Sequence, residues 1–139
     1  DENVYWQSQR NDDVGQPDGD YAFELHQDSW ADMTPLNSLA RVPLEVSAKR
    51  TDGSGSDGVV ISLRNPTKQI AFFERAEVTS SQDGDEVLPI TYDDNYVTVF
   101  PGETVEVRAS APRGSRNPAS ADWVRVTGYN TSPVVVGVS

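Results

Sequence analysis

Residues 59–109, VVISLRNPTKQIAFFERAEVTSSQDGDEVLPITYDDNYVTVFPGETVEVRA, decide the fold. Runs rich in β-branched and aromatic residues alternate there with clusters of Asn, Asp, Gly and Pro, and none has the three-to-four-residue apolar spacing of an amphipathic helix. Val59–Leu63 is a buried strand closed by Asn65-Pro66-Thr67. Ile70–Thr79 is a long strand. Asp83-Gly84, within the turn Ser80–Asp85, is a hairpin signal. Val87–Tyr92 and Tyr96–Phe100 are short strands around Asp93-Asp94-Asn95. Pro101-Gly102 suits a type II turn, because Pro presets φ at the second position and Gly accepts φ > 0 at the third. Thr104–Ala109 then alternates apolar and polar.

Working outward, Val42, Leu44, Val46 and Ala48 alternate with polar residues and Pro43, the pattern of a half-buried strand. Trp123–Tyr129 and Val134–Val138 supply two more strands after the loop Ala111–Ser120. Seven or eight strands at this spacing, with no helices between them, predict an all-β, immunoglobulin-like antiparallel β-sandwich rather than a parallel α/β sheet. It has no disulfide, since the chain lacks cysteine. Residues 1–40 read as a lead-in and 41–139 as the sandwich, one domain overall. In the lead-in, Asn3–Ser8 is a β-favouring aromatic run and Gln9–Asp20 is a loop by composition. Trp30, Met33, Leu36 and Leu39 recur every three residues, a short helical or 3₁₀ turn limited by Pro35.

The chain has 139 residues, too few for a βα barrel of ~250. Its net charge is −11, and its 11 basic residues form no cluster of the kind that neutralises phosphates, so neither nucleic acid nor an anionic membrane surface is an expected partner. No apolar run approaches the ~18 residues of a membrane span. The opening DENVYWQSQR is neither a signal nor a transit peptide, and we expect a piece of a longer protein.

The remaining motifs favour bland readings. Gly53, Gly55 and Gly58 match G-x-G-x-x-G, but a dinucleotide site needs that motif to open a helix, and here it runs into VVISL. Asp93-Asp94-Asn95 and Asp83-Gly84-Asp85-Glu86 lack the spacing of an EF-hand loop and read as turns, so neither metal nor other cofactor is expected. His26 is the single histidine and sits in a polar stretch. No acidic side chain has a neighbourhood apolar enough to separate an acid from a nucleophile, so no catalytic residue is assigned. Trp30 and Trp123 are the candidate sugar-stacking residues. Tyr5 and Trp6 are candidates for contact with a neighbouring domain. Asn65, Asp94, Asn95, Pro101 and Gly102 are turn residues. Asn130-Thr131-Ser132 is a glycosylation sequon followed by Pro133.

Val4-Tyr5-Trp6, Ala31-Asp32-Met33 with Leu36-Asn37-Ser38-Leu39, Leu63-Arg64-Asn65, IAFFER from Ile70, Val87-Leu88-Pro89, Asp93–Tyr96 and Pro101-Gly102-Glu103 fall in order along the chain. Together they resemble the C-terminal immunoglobulin-fold domain of exo-β-D-glucosaminidases of glycoside hydrolase family 2, with β-mannosidase-like relatives. The resemblance runs from Val4 to Ala109 and is less clear from Ala111 onward. It implies a parent enzyme that releases glucosamine from the non-reducing end of chitosan oligosaccharides, with retention. Its two catalytic glutamates would lie in a barrel outside this chain. Phe72, Leu88 and Tyr96 would then belong to the sandwich core or its edges. The implied role is non-catalytic, buttressing the barrel, with the barrel and the other parent domains as partners, chitosan or glucosamine oligosaccharide as a further one, and an extracellular or periplasmic location. A carbohydrate-binding module and an adhesin-type sandwich domain are the alternatives. Two Trp side chains co-exposed on one face would favour the former.

Overall fold

The computed structural model describes residues 4–15, 27–51, 58–111 and 122–139. His26, the glycine-motif residues before Gly58 and most of the Ala111–Ser120 loop lie outside them. The chain divides into two compact units, Asp1–Leu39 and Ala40–Ser139.

In the first unit, strands β1 (Asp13–Val14) and β2 (Gln27–Ser29) pair antiparallel. The composition of Gln9–Asp20 contained no alternation to signal β1, because so short a pair is held by backbone bonds and buries no apolar face. The aromatic run at 4–8, by contrast, forms no strand. Asp12 reinforces the β1–β2 pair by accepting the Ala31 N–H at 2.6 Å. A 3₁₀ turn spans Thr34–Ser38, with Pro35 at its start, where a missing N–H costs nothing. The Asp32 carboxylate precedes it and accepts both the hydroxyl (2.7 Å) and the N–H (2.9 Å) of Thr34. These bonds hold its pKa below the ordinary value.

The second unit is a sandwich of two four-stranded sheets. One has the order β3 (Glu45–Thr51), β4 (Gly58–Arg64), β8 (Thr104–Ser110), β6 (Thr91–Tyr92). The other runs β10 (Val134–Gly137), β9 (Trp123–Thr127), β5 (Ala71–Thr79), β7 (Val97–Val99). All these neighbours are antiparallel. The sandwich has eight strands, within the seven or eight expected, and with β1 and β2 the described residues hold ten. The C-terminus links the two sheets: Val138 bridges Ala48 in parallel, and Arg50 N–H donates to the Ser139 carbonyl at 2.9 Å.

Two strand readings shift for the same reason. Pro43 and Pro89 have no N–H to give a ladder. The strand expected from Val42 therefore starts at Glu45, leaving Val42 as an isolated bridge to Thr131. The strand expected over Val87–Tyr92 shrinks to Thr91–Tyr92, and Leu88 is exposed rather than part of the core.

The core is aliphatic. Val59, Ile61 and Leu63 of β4, beside Val107 and Ala109 of β8 in the same sheet, form one cluster with Ala76 and Val78 of β5 and Val124 and Val126 of β9 in the other. No Phe, Tyr or Trp is fully buried among the described residues. Tyr92 packs half-buried against this core, and the other described aromatic rings are half-buried or exposed.

Candidate docking surface

The site begins with a break in the period of β5. Ala71 pairs with Val99 of β7 and Glu74 with Val97, so two residues, Phe72 and Phe73, stand opposite Thr98 alone. This is a β-bulge. The strand around it is regular, so Ala71 and Glu74, three apart, both turn inward and are fully buried. The bulge closes by setting Phe73 at φ 62, the left-handed region that a bulky side chain rarely enters. Tyr96, just before β7, is likewise left-handed at φ 57.

The two strained residues meet. Their ring centroids lie 5.0 Å apart at an interplanar angle of 44°. Phe72 packs 5.6 Å from Phe73, and Tyr129 meets Phe72 edge-on at 6.0 Å. Phe73, Tyr96 and Tyr129 remain 51%, 49% and 47% exposed, an aromatic cluster on the outside of the domain. Tyr96 is thus an edge residue rather than a core one.

Three asparagines repair the backbone around this irregularity. Asn130 Oδ1 accepts the Phe72 N–H at 2.9 Å, and its Nδ2 donates to the carbonyls of Ile70 (2.8 Å) and Ala40 (2.9 Å). Asn95 copies a strand residue, accepting the Ala76 N–H at 2.8 Å and donating to its carbonyl at 3.0 Å. Asn65 is fully buried. Its Nδ2 donates to the carbonyls of Gln69 (2.7 Å) and Val99 (2.9 Å), and its Oδ1 accepts from Thr67 N–H (3.0 Å) and hydroxyl (2.8 Å). Both Asn130 amide hydrogens are used in a buried site, so the folded chain offers no acceptor at the sequon.

Glu74 corrects the expectation that no acid here has an apolar environment. Its Oε2 accepts the Thr131 hydroxyl at 2.9 Å, while Oε1 is buried without a hydrogen-bond partner. Burial pushes its pKa up to about 7, the Thr131 bond opposing. Room for the carboxylate exists because residue 128 is glycine; a Cβ there would overlap the carboxylate oxygens. Three residues on, Glu77 is also buried but lies between Arg75 (2.9 Å) and Arg125 (3.1 Å). Glu86 joins the same network, accepting from Arg75 at 3.0 Å and from the Tyr92 hydroxyl at 3.2 Å. Among the described residues no group of His, Cys, Asp or Glu is disposed to hold a metal.

Residues 22–131 match the profile of the exo-β-D-glucosaminidase Ig-fold domain. The chain belongs to that family. It is 34% identical over 141 residues to an exo-β-D-glucosaminidase of Streptomyces avermitilis, covering 96% of this chain and 15% of that one. Against the Arthroderma benhamiae enzyme of the same name it is 31% identical over 134 residues, covering 96% and 14%. The crystal structure of the Amycolatopsis orientalis exo-chitosanase CsxA superposes with a TM-score of 0.78 at 29% identity, covering 97% of this chain and 16% of that one. The chain therefore spans about one-seventh of the relatives it matches, as a small, non-catalytic domain of a glycoside hydrolase family. The similarity extends through the strands after Ala111, where the motif resemblance was less clear.

In this Ig-fold domain the singled-out residues are scattered. Trp30 is 70% exposed and lies in the first unit, whereas Trp123 is half-buried in β9, opposite Thr79 and Gly137. Tyr5 is 83% exposed. Trp6 is half-buried and lines a groove of about 410 Å³ with Arg10, Asp32, Met33, Leu36 and Leu39, all in the first unit. Asp94 accepts the Asn95 N–H at 2.8 Å. Pro101 and Gly102 form the β7–β8 turn, with Glu103 N–H donating to the Phe100 carbonyl at 3.0 Å and Gly102 at φ 77. Glu74, Gly128, Phe73, Tyr129 and Asn130 were not singled out for these roles. Four apolar residues, Ile70–Phe73, followed by the polar pair Glu74-Arg75 break the alternation that begins at Ala76, and this is the signal that could have marked a bulge.

Proposed function

We propose that this chain is an accessory Ig-fold domain of an exo-β-D-glucosaminidase, a parent enzyme that hydrolyses terminal glucosamine from chitosan oligosaccharides, and that it buttresses the catalytic barrel. The observation that carries this reading is coverage. Nearly all of the chain aligns with enzymes of that name, yet it fills only 14–15% of their length. Hydrolysis with retention needs two carboxyl groups about 5 Å apart, one of them held protonated. Glu74 has the raised pKa of such an acid but is fully buried under the sheet, out of reach of any sugar. An extracellular or periplasmic location of the parent enzyme belongs to the same reading, supported by a substrate that derives from an external polysaccharide.

The test has two arms. The 139-residue chain should show no turnover of a chromogenic β-D-glucosaminide, and removing it from the parent enzyme should lower the parent's melting temperature. Turnover that disappears on substituting one of the chain's own acids would overturn the reading. A second reading, contact with the polysaccharide itself, is favoured by the exposure of Trp30; binding lost in Trp30→Ala would support it.

A further inference from the structure

We propose that the Phe73–Tyr96 ring pair is the knob through which this domain docks on the rest of its parent chain, in an apolar recess of a neighbouring domain. The inference rests on the accessory-domain reading above and assigns that role to a surface.

Backbone strain is the first support. Phe73 lies in β5 and Tyr96 in the turn just before β7, and both hold left-handed backbones. Asn or Gly would occupy these positions more easily. Sparsely populated conformations of this kind persist where the surrounding structure enforces them, and they cluster at functional sites. Here the enforcement is visible: the bulge fixes Phe73, and Asn95, paired with Ala76, accepts the Tyr96 N–H at 2.9 Å. What the strain achieves is to set two large rings against each other outside a core whose fully buried members, among the described residues, include no aromatic.

Geometry selects the occupant. The rings tilt against their neighbours by 40° to 70°, so the cluster is a faceted projection rather than the flat platform on which a pyranose stacks. Clustered aromatics at the centre of a surface patch are the usual anchors of protein contacts. The protein available to receive them is the parent chain, since the relatives extend far beyond the region this chain matches.

The experiment uses Phe73→Asn with Tyr96→Asn, because Asn tolerates the left-handed region. In the 139-residue chain the pair should leave the melting temperature unchanged or raise it. In the parent enzyme the same pair should make limited proteolysis at the domain boundary several-fold faster. Digestion like wild type, in a parent whose stability does depend on the domain, would overturn the docking role and leave the accessory-domain reading standing. A parent indifferent to removal of the whole domain would overturn that reading instead. A lower melting temperature of the isolated double variant would show that the rings serve the domain's own stability, and the proposal would fall. Binding of glucosamine oligosaccharides to the wild-type chain that is lost in the variant would make the cluster a sugar site, and would equally overturn it.

Discussion

At the scale of single residues, β5 solves one problem in two ways. Glu77, buried, lies between the guanidinium groups of Arg75 and Arg125, and its hydrogen bond raises the pKa of Arg125. Among the described residues Glu74 has only the Thr131 hydroxyl for a partner, which offsets part of the cost that burial puts on the charged form. The folded domain therefore holds the Glu74 proton up to about pH 7, whereas an unfolded chain releases it near 4.5. Between those values the native state binds more protons, so this group's contribution to stability falls as pH rises, by about 3 kcal/mol in all. Urea unfolding of the chain at pH 5 and pH 8 should show the loss, and Glu74→Gln should flatten it. A Glu74→Gln variant with the wild-type pH slope would mean that the carboxyl stays ionised when buried. Gly102 is a separate case. Nothing lies within 4 Å of a Cβ built there, so only φ 77 opposes substitution. Gly102→Val should cost about 1–3 kcal/mol, read as a lower denaturation midpoint.

At the scale of elements, the bulge and the asparagines belong together. Where β5 leaves register, its backbone groups lose their ladder partners, and a buried unpaired group costs about 1–3 kcal/mol. Tyr129 N–H takes the Phe72 carbonyl at 2.9 Å, and Asn130 takes the Phe72 N–H and the Ile70 carbonyl. Asn130→Ala should therefore destabilise the chain by about 3 kcal/mol or more by chemical denaturation. Asn95→Ala, at a half-buried position, should cost about 1–2 kcal/mol. Equal costs at the two sites would show that water satisfies the groups freed at Asn130. A glycan on Asn130 would take its amide from the Ile70 and Ala40 carbonyls and out of a buried site, so the folded chain recovered from a glycosylating host should carry none there, checked by intact mass.

At the scale of the whole molecule, charge is the dominant property. Chitosan is a polycation in mildly acidic water, and a domain of net charge −11 attracts it without any built site. Such attraction is screened over ~10 Å at 0.1 M salt and ~3 Å at 1 M. The chain should be weakly retained on chitosan at low salt, released near 1 M, and not retained on neutral chitin. Retention that resists salt and is lost in Trp30→Ala would establish a stacked sugar contact in place of a field effect.

What the sequence determined by itself was whatever depends on near neighbours. Alternation in β4 and β8 marks a sheet face because successive side chains point oppositely. Pro101-Gly102 marks its turn because each residue restricts its own φ, and the order of seven short motifs along the chain marks the family. What only the tertiary structure decided depends on residues far apart in sequence. The β5 bulge is a mismatch of register with β7, and no property of IAFFER alone says which residue is the extra one. The burial of Glu74 follows from that bulge together with Gly128 and Thr131, more than fifty positions away. Asn130 resembled a sequon because its neighbours do, and it is a backbone partner because folding brings Ile70 and Phe72 to its side chain. The aromatic surface has the same origin: hydrophobicity marks Phe73 and Tyr96 for the interior, and two left-handed backbones, held by contacts between strands, turn them out.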